Sequence, residues 1–554
     1  MKHNGAEITI KLLERQGIRV IAGIPGGSNL PLYHALYHSR IRHILTRHEQ
    51  AAGFIAQGIA RTTLKPAVCF ATSGPGATNL LTAIADAKLD SIPLIAITGQ
   101  VSRGLIGSDA FQEVDTYGMS IPITKHNFLV RSARELFRVV PEAFRIAVSG
   151  RPGPVLIDIP KDVQLEEVIF SSWPQPGKKP ESPGISIREL KQAARMINSS
   201  LRPILYIGGG IIQAGAAPAL LRLAHKNSIP VTSTLMGLGA FPGEDPLFLG
   251  MLGMHAARYT NMALKEADLL IAFGVRFDDR ATGNPAKFCP QAGILHIDID
   301  RAEINKIKKA HFSITADINL ACKLLLPYIR RERRAPWLAQ INGLKQKFPL
   351  RVPAGADQMH PLRLIADVKG MADPDAIITT DVGQHQMWVA QGYCFSRPRS
   401  FLTSGGLGTM GFGLPAAIGA ALAYPEKQVI CFSGDGSLLM NIQELATLAD
   451  LKPRLKVIVL NNSQLGLVRQ QQELFYQGKY IASKFMTSPN FAEIAKNFGI
   501  PGIDLGNSRR PNALLRRALK EKGPCLINVP IGQAHNVFPM VAPGGANHEM
   551  IGGE

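Results

Sequence analysis

The stretch KQVICFSGDGSLLMNIQELATLADLKPRLKVIVLNNS, residues 427–463, decides the fold class. Two apolar runs, VICF and LKVIVL, flank a glycine-bearing turn and a segment of helical periodicity. This is the pattern of a β-α-β unit with buried parallel strands. A similar pattern occupies residues 65–100, KPAVCFATSGPGATNLLTAIADAKLDSIPLIAITGQ. The two ends of the chain therefore repeat one architecture.

The middle of the chain adds short apolar runs between helical segments, at 202–210, 267–277 and 293–300. We predict an α/β protein of three doubly wound parallel-sheet domains, with ligands at the carboxyl ends of strands. Stretches rich in Pro, Gly, Ser or basic residues suggest the boundaries. They give domains at 1–165, 187–330 and 361–530, linkers at 166–186 and 331–360, and a C-terminal tail at 531–554.

Composition excludes several classes of protein. Apolar residues make up 46% and charged residues 19% of the 554 residues, as in globular rather than disordered chains. No apolar run reaches the roughly 18 residues of a membrane span, and the N-terminus lacks the regions of a signal peptide, so we expect a cytoplasmic protein. The net charge of +19 includes a basic cluster at 330–336, but no nucleic-acid motif accompanies it. We expect no membrane and no nucleic-acid partner.

Polar side chains follow both strands of the 427–463 unit. Asp435 stands between Gly434 and Gly436 after the first strand, and Asn462 follows the second. Parallel neighbouring strands bring these positions to one sheet edge. A carboxylate and an amide oxygen suit Mg²⁺, while the glycines and the next helix N-terminus suit a phosphate group. Each motif alone indicates only a tight turn or a strand end, but together they predict a magnesium and phosphate site.

The glycines of GLGTMG, residues 406–411, match the dinucleotide-binding pattern GxGxxG and precede a helical segment. Two features argue against a dinucleotide there. The strand before them is weak, and the acidic residue at the expected distance, Asp435, belongs to the Gly-Asp-Gly turn. We interpret these glycines as close packing around a cofactor.

Glu49 stands where an apolar run, residues 41–45, gives way to a helical segment rich in small residues. A carboxylate at a helix start stabilises the helix dipole, which is the simpler interpretation. Alternatively, a carboxyl group in an apolar pocket has a raised proton affinity and can serve acid–base chemistry. The residue alone does not decide between the two.

These motifs resemble a known superfamily. The Gly434–Gly436 turn with the later Asn pair is similar to the cofactor motif of thiamine-diphosphate-dependent 2-ketoacid decarboxylases and carboligases. RHEQAAGFIAQG, residues 47–58, resembles the segment that carries their activating glutamate. Matches along nearly the whole chain resemble the large, catalytic subunit of acetolactate synthase, most of all the enterobacterial isozyme I type.

The resemblance implies an activity. Such an enzyme decarboxylates pyruvate on thiamine diphosphate and joins the two-carbon product to a second ketoacid. The products are 2-acetolactate from pyruvate and 2-aceto-2-hydroxybutyrate from 2-ketobutyrate, in branched-chain amino-acid biosynthesis. A pyruvate decarboxylase or oxidase is the alternative within the superfamily.

The resemblance also assigns roles to residues. Glu49 becomes the catalytic residue, bonded to N1′ of the aminopyrimidine so that N4′ can remove the C2 proton. The implied thiamine-diphosphate contacts are Glu49, Pro75, Asn79, Gln112, Val382, Gly383, Gln384, His385, Met410, Gly434, Gly436 and Ser437. The implied Mg²⁺ ligands are Asp435, Asn462 and the backbone carbonyl of Gln464. The implied substrate-facing residues are Phe111, Gln112, Lys161, Arg276 and Gln471.

FGVRFDDRATG, residues 273–283, resembles the FAD segment of acetolactate synthases. Because the reaction is redox-neutral, the flavin is implied to be structural. Its implied contacts are Arg151, Gly208, Gly209, Gly210, Thr234, Leu235, Met236, Met254, His255, Gly274, Arg276, Arg280, Asp298 and Asp317. This segment argues against catabolic acetolactate-forming enzymes, which bind no FAD. Glu49 argues against glyoxylate carboligase, which has an apolar residue there.

Gln471 departs from most acetolactate synthases, which have Trp at this position of the RQWQ motif. That tryptophan favours 2-ketobutyrate over pyruvate as the second substrate, so we expect weak discrimination here.

Further expectations about domains and partners come from the resemblance. The first domain would bind the pyrimidine, the middle domain FAD, and the last domain the diphosphate and Mg²⁺. The Gly and Pro content of the tail itself fits either a mobile lid over the active site or an ordered tail. We also expect a homodimer or dimer of dimers, with Glu49 and Asp435 of different subunits in each site, and a small regulatory subunit.

Overall fold

The computed structural model describes residues 1–353 and 355–552. Residue 354 of the second predicted linker and residues 553–554 of the predicted tail lie outside the described residues. Three parallel six-stranded sheets with intervening helices account for most of the described chain. The predicted α/β architecture of three doubly wound domains is therefore confirmed. Within 1–353 and 355–552, no helix is both long and apolar enough to cross a membrane.

The first domain is built on six parallel strands: β2 (Val20–Gly23), β3 (Arg42–Leu45), β4 (Ala67–Ala71), β5 (Leu94–Gln100), β6 (His126–Leu129) and β7 (Val155–Pro160). Their order in the sheet is β3-β2-β4-β5-β7-β6. The helices are α1 (Gly5–Arg15), α2 (Leu30–Tyr37), α3 (Glu49–Thr63), α4 (Pro75–Leu89), α5 (Thr116–Ser120), α6 (Leu136–Val148) and α7 (Lys161–Leu165). Strand β1 (Lys2–Asn4) pairs antiparallel with β8 (Glu167–Ile169), so the predicted linker 166–186 begins against the first domain.

The middle domain has the strands β9 (Pro203–Ile207), β10 (Val231–Ser233), β11 (Phe248–Met251), β12 (Leu269–Phe273), β13 (Gly293–Asp298) and β14 (Phe312–Thr315). They follow the order β11-β10-β9-β12-β13-β14. The helices are α8 (Ile187–Ser199), α9 (Gly209–Gln213), α10 (Ala217–Asn227), α11 (Arg258–Glu266), α12 (Asp279–Thr282) and α13 (Ile318–Leu325). The predicted linker 331–360 contains α14 (Ala335–Lys347), whose Trp337 and Ile341 are buried against this domain.

The third domain has the strands β15 (Ile377–Thr380), β16 (Phe401–Leu402), β17 (Val429–Gly434), β18 (Leu455–Asn461), β19 (Gly502–Asp504) and β20 (Cys525–Pro530). Their order is β16-β15-β17-β18-β20-β19. The helices are α15 (Pro361–Met371), α16 (Gln384–Gly392), α17 (Gly413–Ala423), α18 (Asp435–Leu439), α19 (Glu444–Leu451), α20 (Gly466–Phe475), α21 (Phe491–Asn497) and α22 (Pro511–Lys520). Short 3₁₀ turns elsewhere span Arg103–Leu105, Ile121–Ile123, Ala133–Glu135, Leu235–Gly237, Arg301–Glu303 and Leu326–Tyr328.

Helices α3 and α17 join the first domain to the third. A Cβ atom at Gly58 would collide with the carbonyl oxygen of Ala416, and one at Gly419 would collide with that of Ile55. Glycine at both positions lets the two backbones approach this closely. Apolar side chains of both domains form one continuous buried core around the contact. The two sheets are therefore fixed relative to each other.

The described part of the C-terminal tail, residues 531–552, packs against two domains. Val537, Met540 and Ala546 are buried, and β21 (Met540–Val541) pairs with β22 (Met550–Ile551). The tail contacts the third domain near α20 and the middle domain at Met254, whose carbonyl oxygen accepts from the amide of Val541 at 2.8 Å. It thus connects two domains.

Candidate active site

Asp435 and Asn462 lie together at the carboxyl edge of the third sheet. β17 and β18 pair in register with Gly434 opposite Leu460, so the two strands end next to each other at the edge of the sheet. The Asp435 carboxylate is buried, and its Oδ2 has no hydrogen-bond partner among the described residues. Burial raises the pKa of this carboxyl to about 6. A buried carboxylate oxygen without a partner, beside an amide side chain, fits a cation.

Neighbouring side chains orient this group. Asn462 Nδ2 donates to Gln384 Oε1 at 3.3 Å, which leaves the amide oxygen of Asn462 available as a ligand. Gln464 Nε2 donates to the carbonyl oxygen of Gln533 at 2.6 Å, so the tail helps to fix the loop after β18. The described residues contain no cluster of three or more His, Cys, Asp or Glu that could hold a metal. A Mg²⁺ site built from one carboxylate, one amide oxygen and one backbone carbonyl does not require such a cluster.

The turn before α16 faces the same edge of the sheet. His385 is buried, which lowers its pKa to about 3 and keeps the imidazole neutral. Its Nε2 has no partner among the described residues. A Cβ atom at Gly434 would lie 3.0 Å from His385 Nδ1, and the amide of Gly434 donates to Ser437 Oγ at 3.1 Å. Glycine backbone, a neutral imidazole and the N-terminus of α18 together fit an anionic diphosphate.

Asp381 is a site residue that the sequence interpretation missed. Its carboxylate accepts from the amides of Val382 at 2.9 Å, Gly411 at 2.8 Å and Gly413 at 3.0 Å. Burial raises its pKa to about 7. It therefore ties the turn at Val382 and Gly383 to the segment that carries Met410. Its position as the first residue after β15 was the available signal.

Glu49 begins α3 and is half-buried. Asn79 Nδ2 donates to Glu49 Oε2 at 3.0 Å, and a Cβ atom at Gly76 would lie 3.4 Å from Oε1. Pro75 begins α4 beside them. No hydrogen bond or ion pair between described residues joins Glu49 to Asp435. The segment that carries Glu49 nevertheless reaches the third domain, because Asn441 Nδ2 donates to Gln50 Oε1 at 3.0 Å and to the carbonyl oxygen of Gly411 at 2.8 Å.

The predicted substrate-facing residues of the first domain follow its strand ends. The side chain of Phe111 is 88% exposed. Gln112 has a φ of 59°, and its backbone packs against Gly74 in the turn after β4. Lys161 begins α7 directly after β7. All three lie on segments that leave the carboxyl edge of the first sheet, which is also the edge where Glu49 lies.

A cavity of about 570 Å³ lies where the three domains meet. Its volume is within the range of about 300–1,000 Å³ that is typical of ligand sites. Every residue of the implied FAD set lines it, namely Arg151, Gly208, Gly209, Gly210, Thr234, Leu235, Met236, Met254, His255, Gly274, Arg276, Arg280, Asp298 and Asp317. Val382 and Gln471 line it as well, so the cavity reaches the third-domain cluster.

Some cavity residues have structural partners of their own. Gly208, Gly210 and Gly274 approach one another so closely that a Cβ atom on any of them would meet the backbone of another. Asp317 accepts from the first amides of α13, and Arg151 forms an ion pair with Glu303 at 2.7 Å. His255, by contrast, is buried with no partner at Nδ1 in the described structure. A polar atom of this kind suits a bound ligand.

Comparison with known proteins gives consistent matches along the chain. Three models of thiamine pyrophosphate enzymes match in order: the N-terminal TPP binding domain at residues 3–119, the central domain at 190–325 and the C-terminal TPP binding domain at 381–529. The acetolactate synthase isozyme 1 large subunit of Escherichia coli K12 is 56% identical, covering 100% of this chain and 98% of that relative.

Two further relatives extend the comparison. The isozyme 2 large subunit of the same organism is 46% identical, over 99% of each chain. The acetolactate synthase large subunit of Parasynechococcus marenigrum WH8102 is also 46% identical, over 99% of this chain and 91% of the relative. Fold, strand-end residues and full-length identity agree, and the chain therefore belongs to the acetolactate synthase large subunits, a family of thiamine pyrophosphate enzymes.

Proposed function

We propose that this chain forms 2-acetolactate from two molecules of pyruvate, and 2-aceto-2-hydroxybutyrate from pyruvate and 2-ketobutyrate. The observation that carries the proposal is the unpartnered, buried Oδ2 of Asp435, which lies beside Asn462 at a strand edge lined with glycine. A polar atom buried in this way is costly unless a ligand satisfies it. In thiamine-diphosphate enzymes of this family, that ligand would be Mg²⁺ bound to the diphosphate.

Mg²⁺ is the proposed occupant at Asp435. The carboxylate, the amide oxygen of Asn462 and the backbone carbonyl of Gln464 would hold it and leave positions for diphosphate oxygens and water. A cation here would keep the Asp435 carboxyl ionised, although burial alone raises its pKa to about 6. His385, neutral and buried, would donate toward the diphosphate.

Glu49 is the proposed acid–base group. When bound, thiamine diphosphate supplies a thiazolium that accepts the electron pair left as a 2-ketoacid loses CO₂. Glu49 would hold the proton at N1′ of the aminopyrimidine. Asn79 donates to Oε2 of Glu49 at 3.0 Å and thereby fixes the carboxyl group. Met410 would contact the bound cofactor, and Asp381 anchors the segment on which Met410 lies.

FAD is the proposed occupant of the 570 Å³ cavity. The reaction neither gains nor loses electrons, so the flavin would act as a structural group. Arg276 and Gln471 line the same cavity. This supports a role for both residues in binding the second ketoacid next to thiamine diphosphate. A guanidinium is well suited to a ketoacid carboxylate.

The proposed assembly is a dimer, or a dimer of dimers, in which Glu49 of one subunit acts with Asp435 of another. Glu49 and Asp435 share no hydrogen bond or ion pair among the described residues, and the apolar side chains of Phe111 and Met486 are 88% and 98% exposed. Such exposure is typical of an interface. The relatives are named large subunits, which supports a small regulatory partner.

Product analysis tests the reaction. The purified protein is incubated with pyruvate, with and without thiamine diphosphate and Mg²⁺, and the products are identified. We expect acetolactate and CO₂ only when both cofactors are present, with no electron acceptor needed. Acetaldehyde or acetate as the main product would instead indicate a decarboxylase or an oxidase.

A further inference from the structure

A buried charge cluster of the first domain contacts a glycine-rich loop of the third. The cluster consists of Arg61 on α3 and Asp86 with Asp90 at the end of α4. Their side chains are 5%, 0% and 0% exposed. Arg61 Nη2 contacts Asp86 Oδ1 at 3.1 Å and Asp90 Oδ2 at 2.8 Å, so one cation serves two carboxylates. Nothing in the reaction described above uses these three residues.

The cluster holds the loop 403–409 by its backbone. Asp90 accepts from the amide of Gly406 at 2.7 Å through Oδ1 and from that of Gly405 at 3.1 Å through Oδ2. Arg61 Nη1 donates to the carbonyl oxygen of Thr403 at 3.0 Å. Glycines carry no side chains that could fix the loop and lose more entropy on ordering than other residues. The first domain therefore supplies the anchors of the two glycines, while Gln386 of the third domain binds Thr403 and Ser404 before them.

The far end of the loop is held in the same way. Asp86 Oδ2 accepts from Thr409 Oγ1 at 3.0 Å and also from Ser404 Oγ. Ser404 Oγ in turn accepts from the amide of Thr409 at 2.9 Å. Met410 follows directly. One buried cluster thus fixes both ends of the loop that leads to this residue.

The same loop forms a wall of the cavity between the domains. Ser404, Gly405, Gly406, Leu407 and Gly408 line it, and Asp90 lines it too. Ser91, the next residue, accepts from Arg151 Nε at 2.8 Å. The cluster therefore lies between the cavity on one side and Met410 on the other.

We propose that Asp90, with Arg61 and Asp86, is a positioning residue that sets loop 403–409 and through it both the flavin cavity and the place of Met410. This rests on the proposed function, in which the cavity takes FAD. The three residues contact no reacting atom. They act through the backbone of the loop at Gly405 and Gly406, whereas Gln386 and Thr380 of the third domain hold only its first two residues.

Asp90→Asn tests the proposal in the cofactor-loaded enzyme. The amide keeps the size of the side chain but loses one acceptor for Gly405, Gly406 or Arg61. We expect the dissociation constant for FAD to rise about tenfold. We also expect a changed absorbance band of bound flavin, and a kcat per bound thiamine diphosphate that falls about fivefold with the KM for pyruvate nearly unchanged. Thr409→Val, which removes only the hydroxyl donated to Asp86, should give a smaller change in the same direction.

Asp268→Asn is the matched control. Asp268 accepts from two successive amides, Leu201 at 2.7 Å and Arg202 at 2.9 Å, but it does not line the cavity. We expect its flavin affinity and kcat to stay within about twofold of the parent protein. Parent-like flavin affinity and kcat in both Asp90→Asn and Thr409→Val would overturn the proposal. If the parent protein makes acetolactate but binds no flavin, the flavin assignment fails, and an unchanged kcat and thiamine-diphosphate affinity in Asp90→Asn would then refute the positioning role.

Discussion

The first and third domains share one strand order and differ at the strand ends. In β3-β2-β4-β5-β7-β6 and β16-β15-β17-β18-β20-β19, each strand occupies the equivalent place. The middle sheet follows another order, β11-β10-β9-β12-β13-β14. Helices α3 and α17, which are equivalent in the two domains, pack against each other through Gly58 and Gly419. The two domains are thus structural repeats, and they pack against each other through the equivalent helices α3 and α17.

The polar residues are divided between the two repeats. Helix α3 begins with Glu49, whereas the equivalent α17 begins with Gly413. After β17 the chain continues with Asp435, whereas after the equivalent β4 it continues with an uncharged turn at 72–75. The proposed proton-handling group and the proposed metal group therefore occupy different copies of one scaffold. The shared fold determines where the strands end, and the residue type at each strand end determines the chemistry available there.

Glu49→Gln removes the acid of the first repeat and has the largest expected effect. Because the amide cannot hold or release the proton at N1′, we expect kcat to fall by about 10³-fold or more. The affinity for thiamine diphosphate with Mg²⁺, measured by fluorescence quenching, should stay close to that of the parent. Glu189→Gln, in the first turn of α8, is a control that should leave kcat unchanged. Turnover near the parent level would remove Glu49 from the mechanism.

Asp435→Asn tests the proposed metal group of the third repeat. Loss of the only carboxylate ligand should raise the dissociation constant for Mg²⁺ about 100-fold, and excess Mg²⁺ should restore part of the activity. Titration of activity against Mg²⁺ measures this shift. Asp504→Asn changes a carboxylate at the end of β19 in the same sheet and should leave the titration unaltered. An unshifted titration for Asp435→Asn would refute the metal assignment.

Gly58→Ala tests the contact between the repeats. The added methyl group would collide with the carbonyl oxygen of Ala416, and backbone on both sides cannot yield easily. We expect a loss of about 1–3 kcal/mol in the free energy of unfolding, measured by denaturant titration. Gly370→Ala is the control, because no atom lies within 4 Å of its added Cβ and it is exposed in α15. Equal stability of the two variants would mean that the α3–α17 contact is not tight.

Gln471→Trp has the smallest expected effect and concerns the cavity rather than the repeats. The parent protein should discriminate weakly between pyruvate and 2-ketobutyrate as second substrate. A tryptophan should raise the preference for 2-ketobutyrate about tenfold by adding apolar surface to the cavity. Competition assays that count both products measure it. A strong 2-ketobutyrate preference in the parent protein would contradict the interpretation of Gln471.

Sequence patterns were most informative where chemistry is local. The β-α-β units and the Gly434–Gly436 turn could be predicted from short segments, whereas the residues that line the cavity were implied by the family resemblance. For Asp381 the only local signal was its position after β15, and for Asp90 there was none, because Asp90 binds the amide of Gly406, far away in sequence. The tight packing of Gly208 on Gly274 is equally non-local. Such contacts depend on how domains meet, which no single segment encodes.

Mixing the Glu49→Gln and Asp435→Asn variants at low Mg²⁺ tests the divided site most directly. Glu49→Gln and Asp435→Asn subunits are co-expressed with different tags. The whole population of dimers, mixed and unmixed, is purified, the tags confirm that mixed dimers are present, and acetolactate formation is measured. If one site needs Glu49 and Asp435 from different chains, half the dimers are mixed and each has one intact site, so activity should return to about a quarter of the parent level. Mixed dimers that form but produce no acetolactate would contradict the account.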